Sequence, residues 1–187
     1  MKPLRIIDLR PVNTPEKLSE WMFMNIQPGY VDRFGKKVPG AVMNSQAPQE
    51  FRDKYVLQPP SRLICSRVGT CFDQVEFARL VFNRVGIPCA SVLIVQDLPG
   101  LPSHAFIIFE RKGGQFYWFE NANYSCAGIK GPYRFEVDII EEVHAGMRRD
   151  REDKGNWEWE YYEKPPSGCS LVDFYKSTGF EDLTGRL

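Results

Sequence analysis

Cys71 lies where its thiol could act as a nucleophile. It follows Gly69 and Thr70 in the stretch GTCFDQVEFARLVF, at the point where a helix is predicted to begin. Thr70 is a residue type that commonly caps a helix N-terminus. The positive end of the helix dipole favours thiolate over thiol, so this position strengthens a cysteine as a nucleophile. Cys71 is our candidate nucleophile, and the alternative is a cysteine packed in the core.

The helix that follows Cys71 is the clearest in the chain. The pattern predicts a helix from Cys71 to Val85, which Gly86 and Pro88 end. At roughly 100° per residue, one stripe of this helix repeats at spacings of three and four. The stripe consists of Cys71, Val75, Ala78, Phe82 and Val85. We expect this stripe, with the thiol at its end, to pack on the sheet that follows.

Only two histidines, His104 and His144, could serve as the base for this thiol. His104 opens the strand-like run SHAFIIFER, in which His104, Phe106 and Ile108 share one face. We expect this face to meet the helix stripe, which makes His104 the candidate general base. The alternative is a partly buried imidazole that only bonds the backbone. His144 lies on the polar side of a predicted helix, so we expect it to be remote from the thiol.

A cysteine–histidine pair usually needs a third group that orients the imidazole, and the next strand offers Glu120 and Asn121. The hairpin between SHAFIIFER and QFYWFEN decides between these two residues. A loop over Lys112-Gly113-Gly114 places Glu120 on the side of His104, whereas a loop of only the two glycines places Asn121 there. Because Gly114 fits the left-handed position of a three-residue loop, we favour Glu120 and keep Asn121 as the alternative.

Composition limits the class of protein. The 187 residues are most simply one domain, 1–187, with an ordinary 43% of hydrophobic and 26% of charged residues. Lys and Arg together number 24, as do Asp and Glu, and this balance argues against a nucleic-acid partner. The chain has no apolar run of the length of a signal peptide or a membrane span. We therefore expect a cytoplasmic protein without a membrane partner.

The cysteines argue against a metal centre. There are five of them, an odd number, and no CxxC pair occurs. We therefore expect neither a disulfide framework nor a structural zinc site. Thiol chemistry with a histidine also needs no metal and no organic cofactor, so we expect none.

Other patterns predict elements around this core. Thr14 and Pro15 begin a helix, and a short helix near APQEFRDKY interrupts an otherwise irregular segment from Gln27 to Pro60. The runs CASVLIVQD and WEWEYYE predict strands, the second with one exposed face. The runs VDIIEEVHAGM and SLVDFYKSTG predict helices, the second with a capping pattern of Ser170 and Asp173. The charged run RRDREDKGN predicts a solvated loop.

The order of these motifs resembles the transglutaminase-like superfamily. The resemblance is carried by GTCFDQVEFARLVFNRVGIPCASVLIV, HAFIIFE and YWFEN, within about residues 62–125, and the chain ends look more like small bacterial members than animal enzymes. It implies an α+β, papain-like fold, in which a central helix with the thiol packs on an antiparallel sheet with the histidine and the acid. It also implies Cys71 as nucleophile, His104 as base and Glu120 as orienting acid. The family usually has Asp at this third place.

This reading predicts acyl transfer through a thioester on a peptide or protein amide. Cys71 attacks the carbonyl, His104 protonates the leaving amine, and the backbone N–H of Cys71 stabilises the oxyanion. Water as the acceptor gives a peptidase, amidase or deamidase, which we place first because hydrolysis has the simpler requirement. An amine acceptor gives a transglutaminase, and a thioester cofactor as acyl donor gives an acyltransferase. The alternative from another class is an inactive binding module with the same fold.

Overall fold

The structure is a computed structural model, and it describes residues 11–40, 49–96, 103–123, 126–151 and 156–180. These residues form six helices and eight strands in a mixed α+β arrangement. The helices are α1 (Pro15–Asn25), α2 (Gln49–Lys54), α3 (Pro60–Ser66), α4 (Cys71–Arg84), α5 (Glu136–Arg151) and α6 (Leu171–Ser177). The strands are β1 (Gln27–Val31), β2 (Lys37–Pro39), β3 (Val68–Gly69), β4 (Cys89–Gln96), β5 (His104–Arg111), β6 (Gln115–Glu120), β7 (Gly128–Tyr133) and β8 (Trp157–Tyr162).

The larger sheet is antiparallel and has the strand order β7-β6-β5-β4-β8. Its central strands are rich in β-branched and aromatic residues, which pack well on a pleated surface. In the β5–β6 hairpin Arg111 pairs with Gln115, so the loop is Lys112-Gly113-Gly114. Both loop glycines have positive φ angles, which other residues rarely adopt. The three-residue hairpin loop is therefore confirmed.

Helices α4 and α5 cover opposite faces of this sheet. The residues of β5 that pack with α4 are Ala105, Ile107 and Phe109. Phe106 and Ile108, which point the other way, pack with α5. The prediction that the face of His104, Phe106 and Ile108 meets the α4 stripe is therefore wrong. Both faces of β5 are apolar and buried, so the pattern of the strand could not show which helix covers which face.

Helix α5 packs on the sheet through one apolar stripe. The stripe consists of Ile139, Ile140, Val143 and Met147. The helix is longer than predicted and continues to Arg151, so the first part of the charged run RRDREDKGN is helical and the loop prediction is wrong there. Arg is a good helix former, which allows the helix to continue past its apolar stripe. Residues 152–155 of that run lie outside the described residues.

A second sheet, with the order β2-β1-β3, occupies part of the segment that was predicted to be irregular. β1 runs antiparallel to β2 and parallel to β3. A side chain at Gly29 in β1 would collide with the carbonyl oxygen of Val38, so glycine here allows the strands to approach closely. The prediction of irregular chain is wrong for β1 and β2, while α2 confirms the short helix. β3 leads directly into Thr70 and thus into α4.

Capping residues define the ends of two other predicted helices. The Thr14 side chain accepts a hydrogen bond from the backbone N–H of Lys17 at the start of α1. The Ser170 side chain accepts one from the backbone N–H of Asp173 at the start of α6. Both capping predictions are confirmed. Across the ranges that the structure describes, none of the helices combines the length and the apolar character that a membrane span requires.

Candidate active site

Cys71 is the first residue of α4, and a capping box defines this helix start. The Thr70 hydroxyl accepts from the Asp73 backbone N–H at 3.3 Å, and the Asp73 carboxylate accepts from the Thr70 backbone N–H at 2.9 Å. These reciprocal bonds satisfy two backbone donors at the helix terminus. The predicted start of the helix is confirmed, and the thiol lies at the positive end of the helix dipole.

Asp73 is also the centre of a buried hydrogen-bond network beneath this first turn. Its carboxylate accepts from the Tyr55 hydroxyl at 3.0 Å and from the Gln58 backbone N–H at 2.8 Å. The Gln58 side-chain amide donates a further bond at 3.2 Å. Burial raises the pKa of Asp73, while the hydrogen bonds from Gln58 and Thr70 oppose this shift. The network ties the chain before α3 to the turn that carries Cys71.

His104 and Glu120 form a buried pair at the start of β5 and the end of β6. His104 Nε2 lies 2.5 Å from Glu120 Oε2. The other carboxylate oxygen, Oε1, accepts from the backbone N–H groups of Ala122 at 2.8 Å and Asn123 at 3.0 Å. With donors on both oxygens, the carboxylate is held in one orientation towards the imidazole.

Interaction with Cys71 is among the causes that raise the pKa of this imidazole, so the two side chains lie close together. Because Nε2 faces Glu120, the nitrogen that remains for the sulfur is Nδ1. His104 is the first residue of β5, so its side chain lies at the end of the sheet, where the start of α4 is within reach. Cys71 and His104 are therefore near each other, as expected. The expected reason, a shared face with the α4 stripe, is wrong.

The surroundings of His104 favour its protonated form. Burial disfavours the imidazolium, but the charge of Glu120 and the hydrogen bonds with Cys71 and Glu120 outweigh burial and raise the pKa of His104 to about 10. These contacts therefore favour the imidazolium over the neutral imidazole. A cation beside a cysteine favours the thiolate, which is the nucleophilic form of sulfur.

Asn121, the alternative third residue, points away from the imidazole. Its side-chain amide donates to Gln74 Oε1 at 2.8 Å, and Gln74 in turn donates to the Gly69 carbonyl at 3.3 Å. Of the two candidates, Glu120 is the residue that contacts His104, while Asn121 supports the first turn of α4. The role of Gln74 could not be predicted from the sequence, because its partner is supplied by a distant strand.

Helix α6 contributes a tyrosine beside this group. The Tyr175 hydroxyl is hydrogen-bonded to the hydroxyl of Ser103, the residue before His104. Burial raises the pKa of Tyr175 to about 12; the bond with Ser103 opposes this shift and the charge of Cys71 adds to it. The Tyr175 ring also packs edge to face on Phe72, with the ring centres 6.4 Å apart. The position of Tyr175 could not be predicted from the sequence, because only the fold brings α6 to the start of α4.

Free space around Cys71, His104 and Glu120 is unevenly distributed. A cavity of about 250 Å³ on the α5 side is bordered by His104, Glu120, Trp118 and Lys130, among others. At the thiol the free space is only about 10 Å³, and Cys71 is 5% exposed. That volume is close to the minimum for one water molecule. Free space therefore lies beside the His104 imidazole and the Glu120 carboxylate but hardly any lies beside the Cys71 sulfur. Neighbouring atoms must move before an acyl group can reach the sulfur.

The other candidate residues lie elsewhere. His144 packs edge to face against Trp157, with the ring centres 5.6 Å apart, and is not part of the group around Cys71. All five cysteines are free thiols, and Cys65 is exposed. No cluster of three or more His, Cys, Asp or Glu side chains suited to a metal ion occurs in the described part of the chain.

Comparisons with known proteins add no assignment. No protein-family model matches the chain, and a search of the curated proteins found no match. The geometry of the site is therefore what supports a function.

Proposed function

We propose that the protein is a thiol enzyme that transfers an acyl group from an amide substrate. In this proposal Cys71 is the nucleophile, His104 the general base and acid, and Glu120 the residue that orients the imidazole. One observation carries it: a single buried imidazole lies 2.5 Å from the buried Glu120 carboxylate and close to the Cys71 thiol. Nucleophile, base and orienting group in this order are what nucleophilic acyl transfer requires.

The reaction has two halves. The Cys71 thiolate bonds to the amide carbonyl carbon, and the carbonyl electron pair moves to oxygen, where the backbone N–H of Cys71 stabilises the oxyanion. Collapse of this intermediate breaks the C–N bond, and the His104 imidazolium gives its proton to the leaving amine. Water then loses a proton to His104 and attacks the thioester carbon. The products are a carboxylic acid and the free Cys71 thiolate.

The transglutaminase-like fold is part of the proposal. It is supported by the thiol at the start of α4, the packing of α4 on the antiparallel sheet, and the positions of His104 and Glu120 on adjacent strands. The extra methylene of Glu120, relative to the usual Asp, does not prevent its contact with His104. We propose a peptide or protein amide as the substrate, water as the first choice of acceptor, and a cytoplasmic location. An amine acceptor would make the protein a transglutaminase, and a thioester donor would make it an acyltransferase.

One observation favours a second candidate function. Cys71 is buried and the space at its sulfur is small. A binding module that has the same fold and performs no chemistry has no need of an accessible thiol. The reactivity of Cys71 in the native protein therefore separates the two candidates.

Alkylation of the native protein with iodoacetamide, mapped by mass spectrometry across pH, tests the proposal. Cys71 should be the most rapidly labelled of the five thiols at about pH 6, because the helix start and the neighbouring imidazole favour the thiolate. The exposed Cys65 is the internal reference. If Cys65 or Cys89 is labelled before Cys71 at about pH 6, the assignment of the nucleophile is wrong.

Turnover of fluorogenic peptide amides and of protein glutamine gives the second measurement. Cys71→Ser should remove product formation, and Cys65→Ser is the matched control that should retain it. The released products distinguish the acceptors, since water yields an acid and an added primary amine yields a new amide. An unreactive Cys71 together with no turnover in the whole panel would favour the binding module.

A further inference from the structure

The two edges of the five-stranded sheet are built differently. β7, at one edge, contains residues that discourage the pairing of a further strand. These are Gly128, Lys130, Gly131 and Pro132. β8, at the other edge, reads WEWEYY, contains no Gly, Pro or Lys, and pairs with β4 without a break in register. Within the described ranges no strand pairs with the outer edge of β8.

One face of β8 exposes a row of aromatic side chains. Trp159 and Tyr161 are 40% and 42% exposed, and their rings pack edge to face with the centres 5.5 Å apart. They lie opposite Ile94 and Val92 of β4, which belong to the cluster with α5. The aromatic row is therefore on the α5 face of the sheet.

Exposed apolar side chains also flank the residue of α5 that bonds to Tyr161. The Tyr161 hydroxyl donates to Glu136 Oε2 at 2.7 Å, which places the neighbours of Glu136 beside the aromatic row. Four of the eight exposed large hydrophobic side chains of the described residues lie in this area, which we call the β8 patch: Phe135, Val137, Trp159 and Tyr161. Such concentration of exposed apolar side chains is typical of an interaction site.

The other face of β8 is acidic. Glu158 and Glu160 are exposed and lie opposite Val95 and Leu93. A second copy of the protein could in principle pair its own β8 antiparallel with this edge. In the registers that overlap most of the strand, Glu158 of one copy then lies opposite Glu160 of the other, or the two Glu160 residues lie opposite each other. Like charges directly opposite each other destabilise a strand pair, whereas Lys or Arg at these positions stabilises it. The charge therefore disfavours a second copy and favours a basic strand.

We propose that β8 is a docking edge for an extended peptide segment that alternates apolar side chains with Lys or Arg. The segment joins the sheet as a sixth strand, and main-chain hydrogen bonds with β8 provide affinity. Its apolar side chains contact the β8 patch, and its basic side chains pair with Glu158 and Glu160.

The sheet register places this docking edge beside the candidate active site. Ile94 lies opposite both His104 and Trp159, so these two residues share one row of the sheet. A strand added to β8 runs three strand spacings, roughly 15 Å, from the strand of His104. The bound segment therefore does not need to reach Cys71, and docking is independent of the proposed chemistry.

Two synthetic eight-residue peptides with blocked ends provide the test. One alternates Lys with Val and the other alternates Glu with Val, and both are titrated against the Cys71→Ala protein, in which no turnover can follow. Isothermal titration should show the Lys peptide binding at least about tenfold more tightly than the Glu peptide, because cross-strand charge pairs replace repulsion. Hydrogen–deuterium exchange should show new protection of the β8 amides. Equal affinities, or no binding of either peptide at about 1 mM, would overturn the proposal.

Variants of β8 separate docking on this edge from binding elsewhere. Glu158→Lys combined with Glu160→Lys should reverse the preference between the two peptides, and Trp159→Ala should weaken the Lys peptide about tenfold. Phe34→Ala and Glu20→Lys change exposed residues on other elements and should leave both affinities unchanged. Unchanged binding by the β8 variants would exclude this edge. Dimerisation of the wild-type protein through β8 in sedimentation velocity would show that a second copy is the occupant instead.

Discussion

The two helices on the central sheet bury different kinds of side chain. Helix α5 meets the sheet through aliphatic residues. Helix α4 has an apolar stripe as well, but it also buries Asp73, Gln74 and Glu76. Burial of a carboxyl group is unfavourable unless hydrogen bonds or an opposite charge offset it. The sheet-facing side of α5 is therefore apolar, as stability alone requires. Helix α4, in contrast, buries polar side chains that stability alone does not require.

The buried polar side chains of α4 follow directly after the thiol. Asp73 caps the helix, and Gln74 bonds to Asn121 on β6. Glu76 lies 3.1 Å from Arg79. Burial raises the pKa of Glu76 to about 7, and the charge of Arg79 opposes this shift. Helix α5 therefore contributes apolar packing alone, whereas the start of α4 also holds buried polar groups next to the thiol. Changes on the two faces should therefore affect different measurements.

The largest effect is expected from the acid that contacts His104. Glu120→Gln should lower kcat on a confirmed amide substrate by about 10² to 10⁴-fold, because a neutral amide no longer stabilises the imidazolium. Steady-state kinetics at neutral pH measure this loss, and circular dichroism should show an unchanged fold. Asn121→Ala is the matched control from the next position and should cost less than about tenfold. The reverse result would indicate a Cys–His–Asn arrangement.

A change on the α5 face should affect stability and spare the chemistry. Ile139→Ala removes a fully buried side chain and should lower the free energy of unfolding by about 2–5 kcal/mol. Urea denaturation measures this, while the Cys71 alkylation rate of the folded fraction should be unchanged. Val137→Ala, on the exposed side of the same helix, should stay within about 0.5 kcal/mol. Loss of Cys71 reactivity in folded Ile139→Ala would contradict the separation of the two faces.

The capping carboxylate of α4 should affect both measurements, with smaller amplitude. Asp73→Asn should cost about 1–3 kcal/mol, because an amide nitrogen cannot accept the bonds from Thr70 and Gln58. It should also slow the alkylation of Cys71 relative to Cys65, since the first turn loses its anchor. Asp138→Asn is the matched control, because Asp138 accepts from the Phe135 backbone N–H at the exposed start of α5. An unchanged Cys71 rate in Asp73→Asn would limit Asp73 to a role in stability.

The last effect is a dependence of stability on pH. The pKa of His104 rises from 6.5 to about 10 on folding, so the folded protein holds this proton more tightly than the unfolded chain. The stabilisation is fully present below about pH 6.5 and is lost as the pH rises through about 10. The difference in unfolding free energy between wild type and Glu120→Gln should therefore shrink over this interval. A difference that grows with pH would mean that the folded imidazole is neutral.

The parts of the site that depend on residues adjacent in the chain could be predicted from the sequence. Thr70 and its spacing to Asp73 set the start of α4 at Cys71, because capping is a property of one helical turn. The Lys112-Gly113-Gly114 loop set the register of β5 and β6, and with it the choice of Glu120 over Asn121. A turn of three residues controls every pair of the hairpin that follows, so this prediction needed no knowledge of the rest of the fold.

Contacts between residues far apart in the chain depend on the tertiary structure. The sequence could not show that Phe106 and Ile108 face α5, since both faces of β5 are apolar and either helix could have covered either face. Strands with Gly and Pro, such as β1 and β7, exist because of their partners and not because of their own propensity. The contacts of Asp73 with Tyr55 and of Ser103 with Tyr175 likewise join separate elements. Only the packed fold brings such groups within hydrogen-bonding distance, because nothing in a local pattern specifies a distant partner.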